Sequence, residues 1–153
     1  MLILWACDND EKVANVYSKN FPLVHQYEMG AEELHLLTGP FTLTHVDILH
    51  LSLPCKYWSP AHTHESNTLR DGANRATLFV VKEILNKVKP RIVMFEQTLG
   101  LLTMEQKHGG YFQSLVQQIV EAGYDISWSI VNFKDYGLAQ SRKRLVIYAS
   151  RHE

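Results

Sequence analysis

The sequence predicts an α/β domain built around a mostly parallel sheet. Short apolar runs alternate along the chain with longer amphipathic stretches, and this alternation is typical of β-α-β units. The 153 residues are 46% hydrophobic, which is enough apolar material for one domain with its own core. We therefore expect a single domain over residues 1–153.

The charged residues nearly balance, because 15 basic and 16 acidic residues give a formal net charge of −1 at pH 7. Any contact with nucleic acid must then come from a local basic patch. The two cysteines, Cys7 and Cys55, are too few for a disulfide framework, which favours a reducing compartment. The opening residues have no basic segment and only a brief apolar run, so we expect neither a signal peptide nor a membrane span there.

The N-terminal stretch predicts a strand followed by a helix. Residues 2–7 form an apolar run that is typical of a buried strand. The polar turn at 8–10 can cap a helix that continues to about Asn20, and Pro22 ends it. We expect the buried face of this helix to carry Val13, Val16 and Tyr17. The stretch 23–44 has no clear pattern.

The middle of the chain predicts a strand, a long loop and a second helix. Residues 46–51 (VDILHL) form the strand, and 52–70 form the loop. Loops of this length inside compact domains commonly carry function. Residues 71–88 form the helix, which ends at Lys89 and Pro90. Its apolar positions recur at helical spacing: Ala76, Phe79, Val80 and Ile84.

The C-terminal part predicts three strands and one helix. The strands cover 91–95, 127–131 and 145–149. The helix covers 111–122, and Gly123 stands where a helix often ends in a left-handed residue. The core-facing residues of this helix are expected to be Phe112, Leu115, Val116, Ile119 and Val120.

Reactive side chains follow the ends of three predicted strands: Asp8, Cys55 and Glu96. Ligands of parallel sheets bind beyond the carboxyl ends of the strands, so we expect one shared site there. A cysteine in such a loop can act as a nucleophile, and a nearby carboxylate can transfer protons. The basic run from Arg142 to Arg144 can hold a phosphate or the polar edge of a base.

These residues also have plainer structural interpretations. Cys55 can be a small buried residue, Asp8 can cap the following helix, and the arginines can line a solvated edge. Cys55, His62 and His64 allow a zinc site. A second ligand pair at metal spacing is lacking, however, so we expect no metal.

Three motifs occur in order: Pro54-Cys55 with Ser59, then FEQT at 95–98, then YG at 136–137 with Gln140, Arg142 and Arg144. Their order and intervals resemble those of the cytosine-C5 DNA methyltransferase family, and the resemblance covers nearly the whole chain. The opening ACDNDEKVANVYSKNFP is similar to the family segment that follows its glycine-rich first motif. The Glu-Gln-Thr variant of the second motif resembles the fungal Masc/RID-type branch.

The resemblance implies a Rossmann-like methyltransferase fold that uses S-adenosylmethionine, double-stranded DNA as the partner, and a nuclear location. It implies that Cys55 attacks C6 of a cytosine flipped out of the duplex, while Glu96 contacts N3 and relieves the charge on the ring. By the same resemblance, Arg144 holds the cytosine carbonyl. Arg142 orders the loop or meets the DNA backbone.

Further site residues are implied by the resemblance alone. Asp8 matches the acidic residue that accepts hydrogen bonds from the cofactor ribose, and Asn9 and Pro54 are implied beside it at the cofactor. Ser59 and Gln140 are implied at the substrate.

The chain departs from the family pattern in several places. The Phe-x-Gly-x-Gly turn of the first motif is absent, which implies a partial catalytic domain whose sheet lacks its central first strand. Ala31 stands where the family usually has an aspartate, and the target-recognition region and last motifs are missing. These departures leave open a catalytically inactive homologue that acts in DNA silencing as a scaffold. A transfer-RNA cytosine methyltransferase of the same family would show similar motifs.

Overall fold

The computed structural model describes residues 2–38, 45–54, 77–103 and 110–152. Within these ranges the strands are β1 (Trp5–Cys7), β2 (His25–Tyr27), β3 (Ile48–Leu51), β4 (Ile92–Gln97), β5 (Tyr124–Asn132) and β6 (Lys143–Arg151). The α-helices are α1 (Glu11–Asn20), α2 (Val81–Val88), α3 (Gly100–Thr103) and α4 (Tyr111–Glu121). Short 3₁₀ helices cover Ala31–Leu36 and Phe133–Tyr136.

The strands of the described residues form two separate hydrogen-bonded sheets. β1 pairs in parallel with β2, and β3 pairs in parallel with β4. β6 runs antiparallel between β4 and β5, which gives the second sheet the order β3-β4-β6-β5. The predicted α/β class is confirmed, and the antiparallel pair β5-β6 completes one side of the second sheet.

The hydrophobic core joins the four-stranded sheet to helices α2 and α4. Phe95 of β4 and Leu145 and Ile147 of β6 are essentially inaccessible to solvent. The buried positions of α2 are spaced by three or four residues, as on one helical face: Val81, Ile84, Leu85 and Val88. Burial of each such aliphatic side chain stabilises the fold by about 1.5–3 kcal/mol.

The predicted buried face of α1 is wrong. Val13 is 48% exposed and Val16 is 61% exposed, whereas Ala14 is fully buried. Tyr17 is half-buried and packs its ring 4.7 Å from that of Phe21. The small Ala14 is the residue of α1 that packs against the rest of the fold. The larger side chains of Val13 and Val16 therefore lie on the outer face of the helix. The helix start was predicted correctly, because the Asp10 carboxylate caps it and accepts hydrogen bonds from the first turn.

Two further core assignments are wrong. Phe79 is 51% exposed and contacts Tyr111 edge to face, and Val120 is 50% exposed. Phe79 precedes α2, and Val120 lies on an exposed side of α4, so neither belongs to the buried face of a helix. The predicted helix over 71–88 is interrupted, because Val80 adopts a non-helical turn before α2 begins.

The predicted helix ends agree with the structure. Lys89 adopts a left-handed conformation after α2, with φ of 49°, and Pro90 follows it. Gly123 has φ of 86° after α4, a region that glycine enters without the steric penalty of a side chain.

A large cavity lies between the two sheets. Its volume is about 1010 Å³, and residues of both β1 and β3 line it. Within the described ranges, no helix is long and apolar enough to cross a membrane.

Candidate active site

The ends of β3 and β4 meet at one edge of the second sheet. Parallel pairing places Leu51 opposite Phe95, so the residues that follow each strand emerge side by side. The amide Nε2 of Gln97 donates a hydrogen bond to the carbonyl oxygen of Leu53 over 2.9 Å. This buried bond connects the carboxyl end of β4 to the segment that leads into Pro54.

The Glu96 carboxylate meets both predicted arginines. Arg144 Nε lies 2.8 Å from Glu96 Oε1, and Arg142 lies 3.7 Å from the same oxygen. The close pair is an ion contact whose alignment falls short of a hydrogen bond. Both arginines make these contacts with Oε1 of Glu96, and neither of the two contacts involves Oε2.

Strand register explains why these residues meet. Glu96 on β4 pairs with Val146 on the antiparallel β6. Arg144 lies two residues before Val146 and therefore on the same face of the sheet. A diagonal neighbour at this spacing is within reach of a long side chain. The sequence prediction that Glu96 and the arginine cluster share one site is thus supported by geometry.

Gln140 is exposed on the segment between the second 3₁₀ helix and β6. Tyr136 and Gly137 form the turn before it, and Gly137 has φ of 90°. Tyr136 is also exposed. The YG motif therefore builds a surface turn beside the arginines.

Asp8 closes the turn between β1 and α1. Its main-chain N–H donates to the Tyr27 carbonyl over 3.1 Å, which extends the β1-β2 pairing. One carboxylate oxygen accepts from the N–H of Asp10 over 2.9 Å. Asp8, Asn9 and Pro54 all line the large cavity. The three predicted cofactor residues therefore share one surface, although β1 and β3 belong to different sheets.

Glu32 is a site residue that the sequence prediction missed. It lies on the first 3₁₀ helix and lines the same cavity as Asp8. Its Oε2 atom is buried and has no hydrogen-bond partner in the described part of the chain. Its carboxylate packs directly over Gly30, where a β-carbon would overlap it. In the sequence, Glu32 and Glu33 directly follow Ala31, and this acidic pair was the available indication of a site residue.

Cys7 is chemically unsuited to nucleophilic attack. Its thiol donates a hydrogen bond to the carbonyl oxygen of Met29 over 3.2 Å. Burial raises the pKa of this thiol to about 11, and the nearby Asp8 carboxylate adds to the rise. The thiolate is therefore scarce at neutral pH.

Two predicted site residues, Cys55 and Ser59, lie outside the described residues, as do His62 and His64 of the zinc site that the sequence argues against. The described edge of the site is thus formed by Pro54 on one side and by Glu96 with its arginines on the other.

Comparison with known proteins gives one family for the whole chain. The family profile described as C-5 cytosine-specific DNA methylase matches residues 1–153. Among relatives, the type II methyltransferase M.NgoPII of Neisseria gonorrhoeae is 28% identical over 150 residues. The type II methylase M.HgiDII of Herpetosiphon aurantiacus is 28% identical over 153 residues. Each alignment covers 97% of this chain and 41% of the relative, so the chain spans about two fifths of their length.

Solved structures show the same fold. A putative DNA modification methyltransferase encoded within an E. coli prophage matches with a TM-score of 0.69 at 18% identity, over 98% of this chain and 40% of that one. The S. pombe Dnmt2 methyltransferase matches with a TM-score of 0.63 at 14% identity, over 98% of this chain and 42% of that one. The fold is that of the Rossmann-like S-adenosylmethionine-dependent methyltransferases. From the profile match over its full length, the chain belongs to the C-5 cytosine-specific DNA methylase family.

Proposed function

We propose that this chain supplies catalytic residues for the transfer of a methyl group from S-adenosylmethionine to C5 of cytosine in double-stranded DNA. The observation that carries the proposal is the contact of Arg144 with Glu96 at 2.8 Å, beside the strand end that leads into Pro54 and Cys55. A carboxylate and a guanidinium beside the strand end that precedes the proposed cysteine nucleophile in the sequence match the needs of attack on a pyrimidine ring. The family to which the chain belongs supports the same chemistry.

The proposed reaction begins with attack of the Cys55 thiolate on C6 of the flipped cytosine. A protonated Glu96 carboxyl donates to N3 and so relieves the negative charge that develops on the ring. C5 then becomes nucleophilic and takes the methyl group that S-adenosylmethionine would supply, with S-adenosylhomocysteine as the leaving group. A base removes the C5 proton, the C6–S bond breaks, and Cys55 leaves as the thiolate, which restores the aromatic ring. Arg144 holds the cytosine carbonyl and orients the Glu96 carboxylate through Oε1.

The cofactor assignment is supported by the lining of the cavity between the sheets. Asp8 and Glu32 present carboxylates there, and a buried carboxylate oxygen without a partner suits a hydroxyl or amino donor. S-adenosylmethionine carries such donors on its ribose and adenine, and it supplies an electrophilic methyl group. We assign Asp8 and Glu32 to its polar groups and Asn9 and Pro54 to the adjoining wall.

The DNA partner is assigned to the surface around the arginine cluster. Lys143 and the arginines on either side of it lie at the start of β6, and Lys134 lies on the neighbouring 3₁₀ helix. This local basic surface contrasts with the net charge of −1 for the whole chain. The fungal Masc/RID-type branch and a nuclear location remain predictions.

The test uses DNA that contains 5-fluorocytosine, in which the fluorine at C5 blocks the final proton loss and traps the adduct. The chain is incubated with this DNA and S-adenosylmethionine, and the adduct is detected on a denaturing gel. Cys55→Ser should abolish it. Cys7→Ser replaces the second of the two cysteines and should retain the adduct. Because Cys7 lines the cavity assigned to the cofactor, this control is run at saturating S-adenosylmethionine.

Cofactor binding is measured separately by calorimetry. Asp8→Asn and Glu32→Gln should weaken S-adenosylmethionine binding without unfolding the chain. Absence of an adduct from folded, cofactor-bound chain would refute the proposal. It would favour the alternative of a non-catalytic homologue that acts as a scaffold in DNA silencing.

A further inference from the structure

Strand β5 forms one edge of the four-stranded sheet. In the order β3-β4-β6-β5 it is hydrogen-bonded to β6 on one side, and no other described strand pairs with it. It is nine residues long, from Tyr124 to Asn132, and its sequence contains no proline, lysine or arginine. Natural sheets protect exposed edges with such residues, with bulges or with a covering segment. The edge of β5 is therefore long and is not protected by its own sequence.

Hydrogen bonds at both ends of β5 identify the backbone groups of this edge. The Gly123 carbonyl accepts from the N–H of His152 over 3.0 Å, and the N–H of Phe133 donates to the Arg142 carbonyl over 3.0 Å. Both bonds continue the unbroken register of β5 with β6, so the odd-numbered residues of β5 direct their backbone groups toward β6. The even-numbered residues direct their N–H and C=O groups outward: Tyr124, Ile126, Trp128, Ile130 and Asn132.

Apolar side chains extend along the same edge on the helix side of the sheet. Trp128 is 50% exposed, although its ring meets that of Phe112 on α4 edge to face at 5.5 Å, and Ile130 is 55% exposed. Their partners on β6, Ile147 and Leu145, are fully buried, so the helix layer covers β6 more completely than β5. The outer strip of the sheet, along β5, is thus apolar and accessible.

One flank of α4 continues this apolar strip. The other flank faces α2, since Glu121 pairs with Lys82 at 2.6 Å and Gln118 Oε1 accepts from the Lys82 N–H. Val116 and Val120 each lie two residues from Gln118 and therefore on the opposite side of the helix. Val120 is 50% exposed, and Val116 is half-buried. This flank is directed away from α2, along the edge of β5.

We propose that a second copy of this chain binds here, with the two β5 strands paired in antiparallel about a two-fold axis perpendicular to the sheet. The axis passes through Trp128, so that Tyr124 lies opposite Asn132 of the second copy and Ile126 lies opposite Ile130. This register pairs all five outward-facing residues and joins the two four-stranded sheets into one. The two copies of α4 then lie on the same face of the joined sheet, with their apolar flanks toward each other.

Symmetry and charge favour a second copy as the occupant. A two-fold axis lets each copy present the same edge and the same flank to its counterpart, and such a closed arrangement is the commonest one in oligomers. Asp125 is exposed near the start of β5, whereas Lys134, Asp135 and Lys143 lie near its end and carry a net positive charge. Antiparallel pairing brings the acidic start of one strand to the basic end of the other.

The buried area fits a weak dimer. A strand of the length of β5 extends about 30 Å, and a sheet with one helix layer is about 20 Å thick. The two copies would then bury on the order of 1,200 Å² in total, which is the lower limit for a specific interface. We therefore expect a dissociation constant on the order of 10 µM.

The proposed dimer leaves the candidate active site accessible. Phe95 and Leu145 point into the core beneath the helices, so Glu96 and Arg144 beside them lie on the opposite face of the sheet. The interface uses the edge and the helix face. The inference concerns assembly, so it does not depend on methyl transfer.

Analytical ultracentrifugation measures the association directly. The mass should rise with protein concentration from the chain mass of 17.6 kDa to twice that value and no further. A chain that stays monomeric at about 1 mM would overturn the proposal. Growth beyond the dimer would also overturn it, because a two-fold axis closes the assembly.

A matched pair of valine variants tests the flank of α4. Val120 on α4 and Val13 on α1 are 50% and 48% exposed, so both variants should fold, as circular dichroism would check. Val120→Lys should weaken association by at least about tenfold, because it places like charges near the axis. Val13→Lys should leave association unchanged. Equal effects of the two variants would overturn the proposed position of α4.

Amide hydrogen exchange followed by NMR tests the strand edge. In the dilute monomer the Trp128 and Ile130 amides should exchange rapidly, whereas those of Ser127 and Ser129 should exchange slowly because they face β6. Above the dissociation constant, exchange of Trp128 and Ile130 should slow by at least about tenfold. Slow exchange in the monomer would mean that the chain covers the edge itself. Unchanged exchange in the dimer would mean that another surface associates. Either result would overturn the proposal.

Disulfide formation tests the register. The proposed axis places Ser127 opposite Ser129 of the second copy, with Cα atoms about 4.5 Å apart, which is within the range of a disulfide. In a background of Cys7→Ser and Cys55→Ser, a mixture of Ser127→Cys and Ser129→Cys copies should form the disulfide on mild oxidation. Either variant alone should form little, because identical residues then lie diagonally. No disulfide in the mixture, or equal yields in all three samples, would overturn the proposed pairing.

Discussion

The side-chain amide of Gln97 donates a hydrogen bond to the Leu53 carbonyl over 2.9 Å, and so ties the end of β4 to the end of β3. Gln97 is only 1% exposed, and the bond spans 44 residues of sequence. Leu53 lies two residues before Cys55, and Gln97 directly follows Glu96. One buried bond therefore couples the main chain leading to the proposed nucleophile with the main chain that carries the carboxylate.

Replacement of this amide should affect stability and chemistry together. Gln97→Met keeps the approximate shape of the side chain but leaves the Leu53 carbonyl without its donor. The expected loss is about 1–3 kcal/mol in the free energy of unfolding, measured by urea denaturation. Formation of the 5-fluorocytosine adduct should also slow, because the two strand ends are no longer held together.

Gln118 provides a matched control for this prediction. Its Nε2 also donates to a leucine carbonyl, that of Leu78, over 2.9 Å. Gln118→Met should therefore also lower stability, with the further loss of the contact between Gln118 Oε1 and the Lys82 N–H at 3.4 Å. Gln118 lies on α4, so the adduct rate of the folded variant should stay unchanged. Equal slowing of the adduct in both variants would show that the effect of Gln97 is general destabilisation.

Arg144 should matter more for the reaction than Arg142. Its Nε is 2.8 Å from the Glu96 carboxylate and its side chain is 21% exposed, whereas Arg142 lies 3.7 Å away and is 43% exposed. Lysine keeps the positive charge but loses the planar guanidinium. Arg144→Lys should slow adduct formation by about 10²-fold, which is typical for loss of one positioned donor.

The matched variant is Arg142→Lys, which should slow adduct formation only slightly. Arg142→Lys should change the free energy of unfolding by no more than about 1 kcal/mol, because an exposed ion pair contributes little. Arg144→Lys keeps the positive charge beside the less exposed Glu96, so its rate is measured on protein shown to be folded. Rates measured under single-turnover conditions test this order. A larger effect of Arg142→Lys would contradict the assignment of Arg144 to the cytosine carbonyl.

The position of Glu32 should depend on the absence of a side chain at Gly30. The Gly30 backbone has φ of −69°, which any residue can adopt, but a β-carbon there would overlap the Glu32 carboxylate. Gly30→Ala should therefore displace Glu32 and weaken S-adenosylmethionine binding, as Glu32→Gln should. The expected loss is about tenfold in Kd, equivalent to about 1.4 kcal/mol.

Glu33→Gln is the control for this prediction, since Glu33 is exposed on the same 3₁₀ helix and does not line the cavity. Calorimetric titration of the three variants with S-adenosylmethionine provides the comparison. If Glu33→Gln weakened binding as much as Glu32→Gln, a general charge effect would replace the specific contact proposed here.

The raised pKa of Cys7 gives a prediction for alkylation. With the pKa at about 11, reaction of Cys7 with iodoacetamide should be slow at pH 8 and should accelerate steeply above pH 10. Folding favours the protonated thiol of Cys7. The stability that this preference contributes is fully present below the ordinary thiol pKa and is lost as pH rises toward 11. Peptide mass spectrometry of the Cys55→Ser variant follows Cys7 by itself. Rapid labelling of folded protein at pH 8 would contradict this assignment.

The sequence predicted the elements whose pattern arises locally. Periodic apolar residues identified α2 and α4, and Asp10 and Gly123 marked helix ends through capping rules that need no tertiary information. The strand-end rule predicted that Asp8, Cys55 and Glu96 share one edge of the sheet. The basic run from Arg142 to Arg144 was predicted to hold a phosphate or a base edge, and its position beside Glu96 follows from the antiparallel pairing of β4 with β6.

Other features depend on how the elements pack. Val13, Val16 and Phe79 have the spacing of core residues, but which side of a helix is covered depends on its neighbours and not on the helix itself. Glu32 was missed because its role depends on the cavity between two sheets. The bond from Gln97 to Leu53 joins residues that only β3-β4 pairing brings together.

The ion pair between α2 and α4 should give a distinct pH dependence. Lys82 Nζ lies 2.6 Å from Glu121 Oε2, and the hydrogen bond from Lys82 lowers the pKa of the Glu121 carboxyl. A lowered pKa in the folded state means that the added stability is present above the ordinary glutamate pKa and is lost as pH falls through the lowered value.

Glu121→Gln should therefore flatten the acid limb of the stability curve, measured by urea denaturation between pH 3 and pH 7. Lys82→Met should flatten it only in part, because Gln117 Nε2 still donates to Glu121 Oε1 over 2.8 Å. The double variant should match Glu121→Gln. Salt at 1 M should reduce the difference in the unmodified chain, because both side chains are solvent-accessible. An acid limb unchanged in both single variants would show that other carboxylates determine it.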